Sequence, residues 1–416
     1  MDAPRRDDAA RLDAKDPLAA FVDRFHRPSG HPSLIYLDGN SLGPQPRAVA
    51  GVVHAEVDRW RDRLIRGWNE RWLGLGDAAA AHIATVVGAG PRDVGVGDTT
   101  TVSLHVLASA ALAAAPGRPD VITDPANFPT DLYVLDAVAR AAGGVLRLLG
   151  GPPTEETVAA ALDTRVGLVA LSHVDFRTGL LHDLGAVSAV VRRGGAWSLW
   201  DLSHSAGVVP VDLVGAGVDL AVGCTYKYLH GGPGAPSWRY VSGDVADRLR
   251  SPIPGWFGHA DPFAMEPTYR PAAGVARFRT GTPPVLSTAA MLPGLEVVAE
   301  AGVPAIRAKS VALTSLAIAL ADVWLAPLGV TLESPRDPAH RGGHIALRCR
   351  DAPRVSAMLV ERHRVIGDAR GTDILRLGMS PLGLRFVDVH DGVRRIADAI
   401  ARRDVDRHST DPGPVL

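Results

Sequence analysis

Short apolar runs alternate with helical stretches through the middle of the chain. The apolar runs are rich in Val, Leu and Ala, and each is followed by a stretch in which apolar residues recur at helical spacing. Short strands that alternate with helices are typical of βαβ units and of a mostly parallel sheet. The strands are predicted within 92–97, 119–124, 145–149, 166–174, 196–204 and 218–229. The pattern therefore predicts an α/β fold whose ligands gather at the carboxyl ends of the strands.

An amphipathic helix is predicted ahead of these strands. Its apolar side chains recur three and four residues apart, as they do along one face of an α-helix. They are Val49, Val52, Val53, Val57, Trp60 and Leu64. The spacing predicts a helix with one apolar face.

Two consecutive helices are predicted after the sheet, and the second, over 303–324, is long enough to bridge to a C-terminal lobe. That lobe alternates short strands with helices in an α+β pattern. A chain of 416 residues can form two domains. We predict an N-terminal arm over 1–30, a large domain over 31–305 and a small C-terminal domain over 306–416.

Composition narrows the class of protein. The formal net charge of −1 gives no overall attraction to nucleic acid or to an anionic membrane. The two cysteines, Cys224 and Cys349, are too few for a disulfide framework or a zinc cage, so we expect two buried apolar side chains and no metal site. The N-terminus lacks an apolar signal region, and we predict no membrane span. We therefore expect a cytoplasmic protein.

One lysine stands where a parallel sheet places its chemistry. The chain has only three lysines, and Lys227 closes an apolar run 26 residues after Asp201, which also closes one. A lysine at a strand end can lose its charge by desolvation and become a nucleophilic amine that forms a Schiff base with an aldehyde. Pyridoxal phosphate needs such a lysine, and it needs a carboxylate facing its pyridine nitrogen. Asp201 is the candidate carboxylate, with His204 close behind it.

The remaining requirements of pyridoxal phosphate are met at two other strand ends. Asp98 and a run of three threonines at 99–101 open an apolar helix after a strand, which suits a phosphate site at a helix N-terminus. Phe128 follows the next strand and can stack on the cofactor ring. Each feature alone is ordinary, because caps, turns and packed aromatics look the same. Their order along one predicted sheet is what indicates a pyridoxal-phosphate site.

Several longer motifs carry a family resemblance over most of the chain. They are YLDGNSLGPQP (36–46), NFPTD (127–131), LSHVDFRTG (171–179), WDLSHSAG (200–207), CTYKYLHGGPG (224–234), GWFGH (255–259), FRTGTPP (278–284) and ILRLGMSPL (374–382). The chain resembles the kynureninases, pyridoxal-phosphate enzymes of fold type I, the aspartate-aminotransferase fold class. The resemblance implies a large domain with a mostly parallel sheet and a smaller α+β C-terminal domain. It also implies hydrolysis of L-kynurenine to anthranilate and L-alanine in tryptophan degradation or NAD synthesis, with 3-hydroxykynurenine as a possible second substrate.

The resemblance also implies roles for single residues. Lys227 would carry the cofactor, Asp201 would pair with its pyridine nitrogen and Phe128 would stack on its ring. The other residues implied around the cofactor are Thr100, Thr101, Asp131, Ser172, His204 and Tyr226. Tyr226 would also assist proton transfer, and which of the threonines at 99–101 lies closest to the phosphate stays open.

Members of this family are homodimers with shared active sites. The resemblance therefore implies that Trp256 and Thr282 reach the cofactor phosphate of the neighbouring subunit. Arg376 would clamp the substrate α-carboxylate, for which a planar guanidinium is suited. Trp68 would line the aryl pocket.

Other functions stay open at this point. A class-V aminotransferase or a cysteine desulfurase shares the lysine and the aspartate, but a desulfurase needs a nucleophilic cysteine on an exposed loop, and neither Cys224 nor Cys349 is placed for that. A non-catalytic sensor would carry a DNA-binding segment, and no basic helix-turn-helix pattern occurs. A dinucleotide-binding module is disfavoured because no G-x-G-x-x-G follows the first strand.

Overall fold

The computed structural model describes residues 3–28, 30–31 and 33–402. These residues form three sheets and the helices that cover them, and the predicted α/β class is confirmed. The strands are β1 Ile35–Tyr36, β2 Val94–Val96, β3 Asp120–Thr123, β4 Leu146–Leu148, β5 Val166–Ser172, β6 Trp197–Asp201, β7 Leu220–Gly223, β8 Trp238–Val241, β9 Thr331–Leu332, β10 His344–Arg348, β11 Val365–Ile366, β12 Asp368–Arg370 and β13 Ile374–Gly378.

The described residues also form α-helices. They are α1 Arg6–Lys15, α2 Val49–Arg63, α3 Leu73–Val87, α4 Thr100–Ala113, α5 Pro129–Ala141, α6 Glu155–Ala161, α7 Leu184–Arg193, α8 Val285–Ala301, α9 Val303–Trp324, α10 Ala352–Met358 and α11 Phe386–Ala401. The elements predicted from the sequence are therefore present at the predicted places.

The central sheet has seven strands in the order β2-β8-β7-β6-β5-β3-β4. All strands run parallel except β8, which is antiparallel to both of its neighbours. Strand β8 was not predicted, because its short apolar run is interrupted by Arg239. That guanidinium is buried and pairs with Asp98 at 3.0 Å, so the strand lies inside the fold despite its charge.

Helices cover both faces of this sheet, which is why its central strands are apolar throughout. In β5 the side chains alternate between two hydrophobic cores. Leu168 and Ala170 pack with α4 and α5, whereas Val169 and Leu171 pack with α3, α7 and α8. Because both faces of the sheet are covered, polar side chains lie at the ends of the strands, which the helices do not cover.

The C-terminal part forms an antiparallel sheet in the order β12-β13-β10-β9, with its own core against α9 and α11. The N-terminal helix α1 is fastened to it, since the Asp13 carboxylate accepts from the backbone N–H groups of Phe386 and Val387 at the start of α11. Asp16 also pairs with Lys309 of α9 at 2.7 Å, and both side chains are buried. The division into an arm and two domains stays a prediction, and residues 403–416 of the predicted small domain lie outside the described part.

Two helices differ from a simple sequence interpretation. By length and composition α9 could cross a membrane, but half of its apolar window is buried within the fold, as expected of a core helix. Helix α2 has the predicted apolar spacing, yet Val57, Trp60 and Leu64 are 42, 60 and 63% exposed while its Glu56 is buried. The C-terminal part of this apolar face is thus exposed within this chain, whereas Val52 near its start packs against the core.

Candidate active site

Lys227 lies in a turn just beyond the carboxyl end of β7. Register places it beside Asp201, because Asp201 at the end of β6 pairs with Val222 in β7. The Lys227 Nζ atom is 2.8 Å from Nε2 of His204. The motif near residue 40 packs on this turn, where Gly43 donates its N–H to the Tyr226 carbonyl at 2.8 Å. A Cβ at Gly43 would lie 2.3 Å from the Lys227 carbonyl oxygen, so only glycine fits.

Asp131 and Asp201 form a carboxyl pair beside the lysine. Asp131 is buried in the first turn of α5, and burial, followed by the charge of Asp201, raises its pKa well above the ordinary value. Lys227 opposes the shift in part. Two carboxylates in contact cannot both ionise readily, so Asp131 keeps a proton and donates it in a hydrogen bond to Asp201. Asp201 also accepts from the Ser203 backbone N–H at 2.6 Å, which fixes its orientation.

His204 is a neutral base next to the lysine. Its ring is buried, and burial, with the nearby Lys227 charge, holds its pKa well below the ordinary value. Tyr226 is half-buried, and Cys224 together with burial raises its pKa, so Tyr226 is a neutral phenol at physiological pH. Burial also raises the pKa of Cys224, which is therefore a thiol and not an exposed nucleophile. The structure thus brings Lys227, Asp201, Asp131, His204 and Tyr226 together as predicted.

The helix start proposed for phosphate lies at the same edge of the sheet, since β2 runs parallel to β7. Thr99 is the N-cap of α4, and its side chain accepts from the Val102 N–H at 3.3 Å. Thr100 and Thr101 occupy the first helical positions, where backbone N–H groups have no intrahelical acceptor. Asp98 is paired with Arg239, so its charge is compensated. Thr100 and Thr101 are therefore better placed than Thr99 to bind an anion through hydroxyl and N–H groups.

Phe128 and Ser172 are joined by a residue that the sequence analysis did not single out. Asn127 accepts hydrogen bonds from the Ser172 hydroxyl and from the Phe128 N–H, both at 2.7 Å. Phe128 is the N-cap residue of α5 and is 41% exposed, with its ring edge-to-face on Phe176 at 5.2 Å. One aromatic face is thus held at the site by the backbone, with room for a planar ring. Asn127 is the first residue of the NFPTD motif, and this motif is the feature of the sequence that could have identified it as a site residue.

Arg376 is held in a buried ion pair. It is 1% exposed; its guanidinium makes two hydrogen bonds to Asp368, one of them at 2.7 Å, and donates to the Phe176 carbonyl. Ser41 bridges the pair, donating to Asp368 at 2.8 Å and accepting from Arg376 at 3.2 Å. Arg370 also pairs with Asp368 at 2.8 Å. Asp368, Ser41 and Arg370 were missed, because only tertiary packing shows that they surround Arg376.

This cluster has an excess of positive charge. Two arginines share one carboxylate, and hydrogen bonds from Arg376 hold the pKa of Asp368 below its ordinary value although burial opposes this. Burial and the Asp368 charge raise the pKa of neighbouring Asp38 to about 7. Asp38 is therefore only partly ionised at neutral pH, and the cluster suits a carboxylate ligand.

Three predicted residues are not brought to this group. Trp256 and Thr282 are exposed, and Trp68 packs with Trp72 at 5.5 Å and Phe257 at 6.4 Å. No hydrogen bond, ion pair or ring contact in the described chain joins them to Lys227. Thr282 lines a cavity together with Asp98, which precedes the helix start proposed for phosphate, and the predicted roles of all three residues at a neighbouring subunit remain predictions.

The residues present fit pyridoxal phosphate. The site offers an amine next to a neutral base, a carboxylate oriented at a strand end, an exposed aromatic face and an anion-binding helix start. His204 Nδ1 is buried without a hydrogen-bond partner in the described chain, as expected where a polar ligand or water completes the site. No group of His, Cys, Asp and Glu among the described residues could hold a metal ion.

Comparison with known proteins gives two family matches. A family model described as aminotransferase class-V matches residues 35–324, and one described as kynureninase C-terminal domain matches residues 306–396. Among curated relatives, kynureninase from Pseudomonas fluorescens is 41% identical over 406 residues, which is 96% of each chain. Kynureninase from Burkholderia mallei (strain SAVP1) is 41% identical over 406 residues, covering 95% of each.

Solved structures agree on the fold. A C-DES variant with glycine covalently linked to its pyridoxal-phosphate cofactor is 18% identical, with a TM-score of 0.79 over 90% of this chain and 98% of that one. The apo cysteine desulfurase from Thermococcus onnurineus NA1 is 17% identical, with a TM-score of 0.77 over 97% of this chain and 99% of that one. At such low identity the similarity shows the shared fold alone.

Proposed function

The chain belongs to the kynureninase family, and we propose that it uses Lys227, His204 and Tyr226 to move protons during hydrolysis of the Cβ–Cγ bond of L-kynurenine. It is a pyridoxal-phosphate-dependent hydrolase of carbon–carbon bonds in ketonic substrates. The proposed products are anthranilate and L-alanine. The observation that carries the residue assignment is the contact of Lys227 Nζ with His204 Nε2 at 2.8 Å, beside the Asp131–Asp201 pair.

The residues that would hold the cofactor are those gathered at the strand ends. Lys227 would bind it covalently, Asp201 would face its pyridine nitrogen, and Phe128 would stack on its ring. Thr100 and Thr101 would take its phosphate, with Ser172 nearby. When bound, the cofactor supplies an electron sink for negative charge that develops on the substrate carbons.

Lys227 would move the proton at the substrate Cα, and His204 would orient its amine. With the cofactor bound to the substrate, the free Lys227 amine would take the Cα proton and would be the donor when a proton is returned to the substrate–cofactor adduct. His204 is neutral, so its unprotonated nitrogen can accept a hydrogen bond from Nζ and keep the amine oriented. Protonated Asp131 donates to the Asp201 carboxylate, whose orientation is also fixed by the Ser203 N–H.

The Arg376 cluster orients the substrate. Arg376 has five N–H donors, and the described contacts leave one on Nη1 for a substrate carboxylate, with the Ser41 hydroxyl beside it. Fixing the α-carboxylate and the α-amine at two points sets the direction of the scissile bond. Tyr226 is a neutral phenol that can donate a proton to the γ-ketone oxygen as water adds and take back the proton which that water releases. When the Cβ–Cγ bond breaks, it can in the same way take the hydroxyl proton of the hydrate and deliver a proton to Cβ.

We also propose a homodimer with shared active sites. Support comes from exposed apolar side chains, among them Trp60 and Ile65 near the end of α2 and Phe263 and Met265 in the loop after Trp256, each more than half exposed. Patches of this kind typically mark interaction sites. In the dimer, Trp256 and Thr282 would complete the neighbour's phosphate site, and Trp68 would line an aryl pocket.

Mixing inactive variants tests the shared site. Lys227→Ala and Thr282→Ala protomers are each expected to be impaired, and a mixture refolded together should regain activity in hybrid dimers. Activity that stays at the sum of the separate variants, or a monomer by light scattering, would contradict sharing. A cytoplasmic location is proposed as well, since both free cysteines are buried and unpaired; cell fractionation would test it.

The function itself is tested with purified protein and L-kynurenine, by following anthranilate fluorescence and alanine release. We expect both products without any keto-acid acceptor, no product from Lys227→Ala, and a separate rate with 3-hydroxykynurenine. A requirement for a keto acid would favour an aminotransferase instead. Failure of the wild-type protein to cleave either substrate would reject the proposal.

A further inference from the structure

A second histidine lies behind the Lys227–His204 pair with no assigned role. His344 is the first residue of β10 and is 0% exposed. Neither of its ring nitrogens has a hydrogen-bond partner within the described chain. Burying both nitrogens unpaired costs free energy that an apolar side chain would not cost, so the residue needs an explanation other than packing.

His344 is part of a group of unpaired polar atoms. Its ring lies 5.6 Å from that of His204, centroid to centroid, and His204 Nδ1 is also buried without a partner in the described residues. The Tyr228 hydroxyl is a third such group, and it packs against Gly343, where an added Cβ would lie 2.7 Å from the oxygen. A buried water needs two to four polar partners, and these three side chains can supply them.

The hydrogen bond between His204 Nε2 and Lys227 determines whether His204 Nδ1 carries a proton. In a neutral imidazole one nitrogen carries a proton and the other accepts, and the bond made by one sets the state of the other. Nε2 faces the Lys227 amine, which has protons to donate. If Nε2 accepts, then Nδ1 carries the proton and needs an acceptor on the His344 side.

The charges around His344 keep both rings neutral. Burial, followed by the Arg376 charge, lowers the pKa of His344 to about 3, and burial likewise holds the pKa of His204 well down. The charged groups that face His344 are Arg376, Asp368, Lys227 and Arg370. The positive groups outnumber the one carboxylate, so a neutral His344 with a free lone pair is the stable form.

We propose that His344 is a positioning residue: His204 Nδ1–H donates a hydrogen bond to one ordered water shared with Tyr228, and this water donates to a ring nitrogen of His344. This arrangement fixes the His204 tautomer whose bare Nε2 faces Lys227. His344 itself touches neither substrate nor cofactor in this role. The inference rests on the proposed function, since it concerns how Lys227 is kept ready to move a proton.

The test uses His344→Leu, His344→Gln and a matched control, His173→Leu. His173 is also buried with an unpaired Nδ1, but its ring packs on Trp200, and only its backbone N–H reaches the site, donating to the Asp201 carbonyl at 2.9 Å. No hydrogen bond or ring contact among the described residues joins its side chain to Lys227 or His204. We expect His344→Leu to lower kcat by about fivefold to tenfold, the value of one neutral hydrogen bond, with KM nearly unchanged. The pH midpoint of the bound-cofactor absorption change should move by about 0.7 unit, the fivefold effect on a logarithmic scale.

Stability separates positioning from packing. The melting temperature of His344→Leu should stay near that of the wild type, because leucine still fills the buried site and only one water-mediated hydrogen bond is lost. His344→Gln should recover part of kcat and of the midpoint, because its amide can still accept. Tyr228→Phe should shift the pH midpoint of the absorption change in the same direction as His344→Leu does. If the leucine variant does not fold, Tyr228→Phe and His344→Gln together provide the test.

Three outcomes would overturn the inference. They are wild-type kcat and midpoint in His344→Leu, equal effects in His173→Leu, and a loss of kcat accompanied by a lower melting temperature without any change in midpoint. Wild-type enzyme assayed beside the variants distinguishes these from failure of the function. If it produces no anthranilate, the proposed function fails and not the role of His344 alone.

Discussion

The carboxyl of Asp131 gives the sharpest test of how the site is organised. Asp131→Leu removes the proton donor to Asp201, whereas Asp131→Asn keeps an N–H donor that does not titrate. A hydrogen bond to a charged group contributes about 1.5–3 kcal/mol, and 1.36 kcal/mol corresponds to about tenfold in rate. We therefore expect kcat/KM to fall roughly 10- to 150-fold in Asp131→Leu and less than about tenfold in Asp131→Asn.

The pH dependence follows from the direction of the pKa shift. Burial and Asp201 raise the pKa of Asp131 in the folded protein, so its proton is retained at neutral pH and leaves as the pH rises through the raised value. The stability that this proton provides is complete below the ordinary carboxyl pKa and is lost on the alkaline side. Above the raised pKa two charged carboxylates repel each other, and both activity and cofactor retention should decline.

Anthranilate fluorescence across the pH range, with bound cofactor measured by absorbance after desalting, gives the needed profiles. Asp136→Asn is the matched control, because Asp136 is an exposed carboxylate on the same helix, paired with Arg140 at 2.8 Å. Its profile should match the wild type. The reasoning is refuted if Asp131→Asn and Asp131→Leu lose equal activity, or if Asp131→Asn retains the alkaline decline.

Three further substitutions test other contacts. Arg376→Lys replaces a planar fork by a point charge, so KM for L-kynurenine should rise about tenfold or more with a smaller change in kcat, and an unchanged KM in steady-state kinetics would exclude the carboxylate clamp. Lys309→Met leaves Asp16 buried without its countercharge, and the free energy of unfolding in urea should fall by about 3–5 kcal/mol; an unchanged midpoint would contradict a stabilising pair. Glu56→Gln weakens the bond that Trp72 Nε1 donates at 2.9 Å, so stability should drop by about 1–3 kcal/mol with altered tryptophan emission, and wild-type values of both would rule out anchoring.

The sequence identified those features of the site that depend on local strand order. Lys227, Asp201 and Phe128 each follow an apolar run, and parallel strands bring such positions to one edge of a sheet. The register confirms this for Ser172 and Asp201, which pair directly across β5 and β6. Placing these residues at one sheet edge requires only the order of the strands and no knowledge of distant packing, which is why their placement could be predicted.

Features that depend on distant packing were not predictable. Strand β8 was missed because Arg239 interrupts it, and only the pairing with Asp98 makes its burial possible. His344 looked like an ordinary residue of a C-terminal strand, and nothing local indicated that its ring would face His204. The apolar spacing of α2 was recognised, but spacing cannot tell a core face from a face that stays exposed within one chain, as Trp60 does.

Phe176 connects the two halves of the site. Its carbonyl accepts a hydrogen bond from Arg376 of the C-terminal sheet, and its ring packs edge-to-face on Phe128 at 5.2 Å. The same residue thus contacts the guanidinium proposed for the substrate carboxylate and the ring proposed to stack on the cofactor. Asp368 holds Arg376 in place through a hydrogen bond. A substrate carboxylate that binds this guanidinium would therefore bind a buried group of fixed orientation and not a mobile side chain. If Arg376 and Phe128 have their proposed roles, substrate orientation and cofactor stacking would be set by one connected set of contacts between the C-terminal sheet and the central sheet.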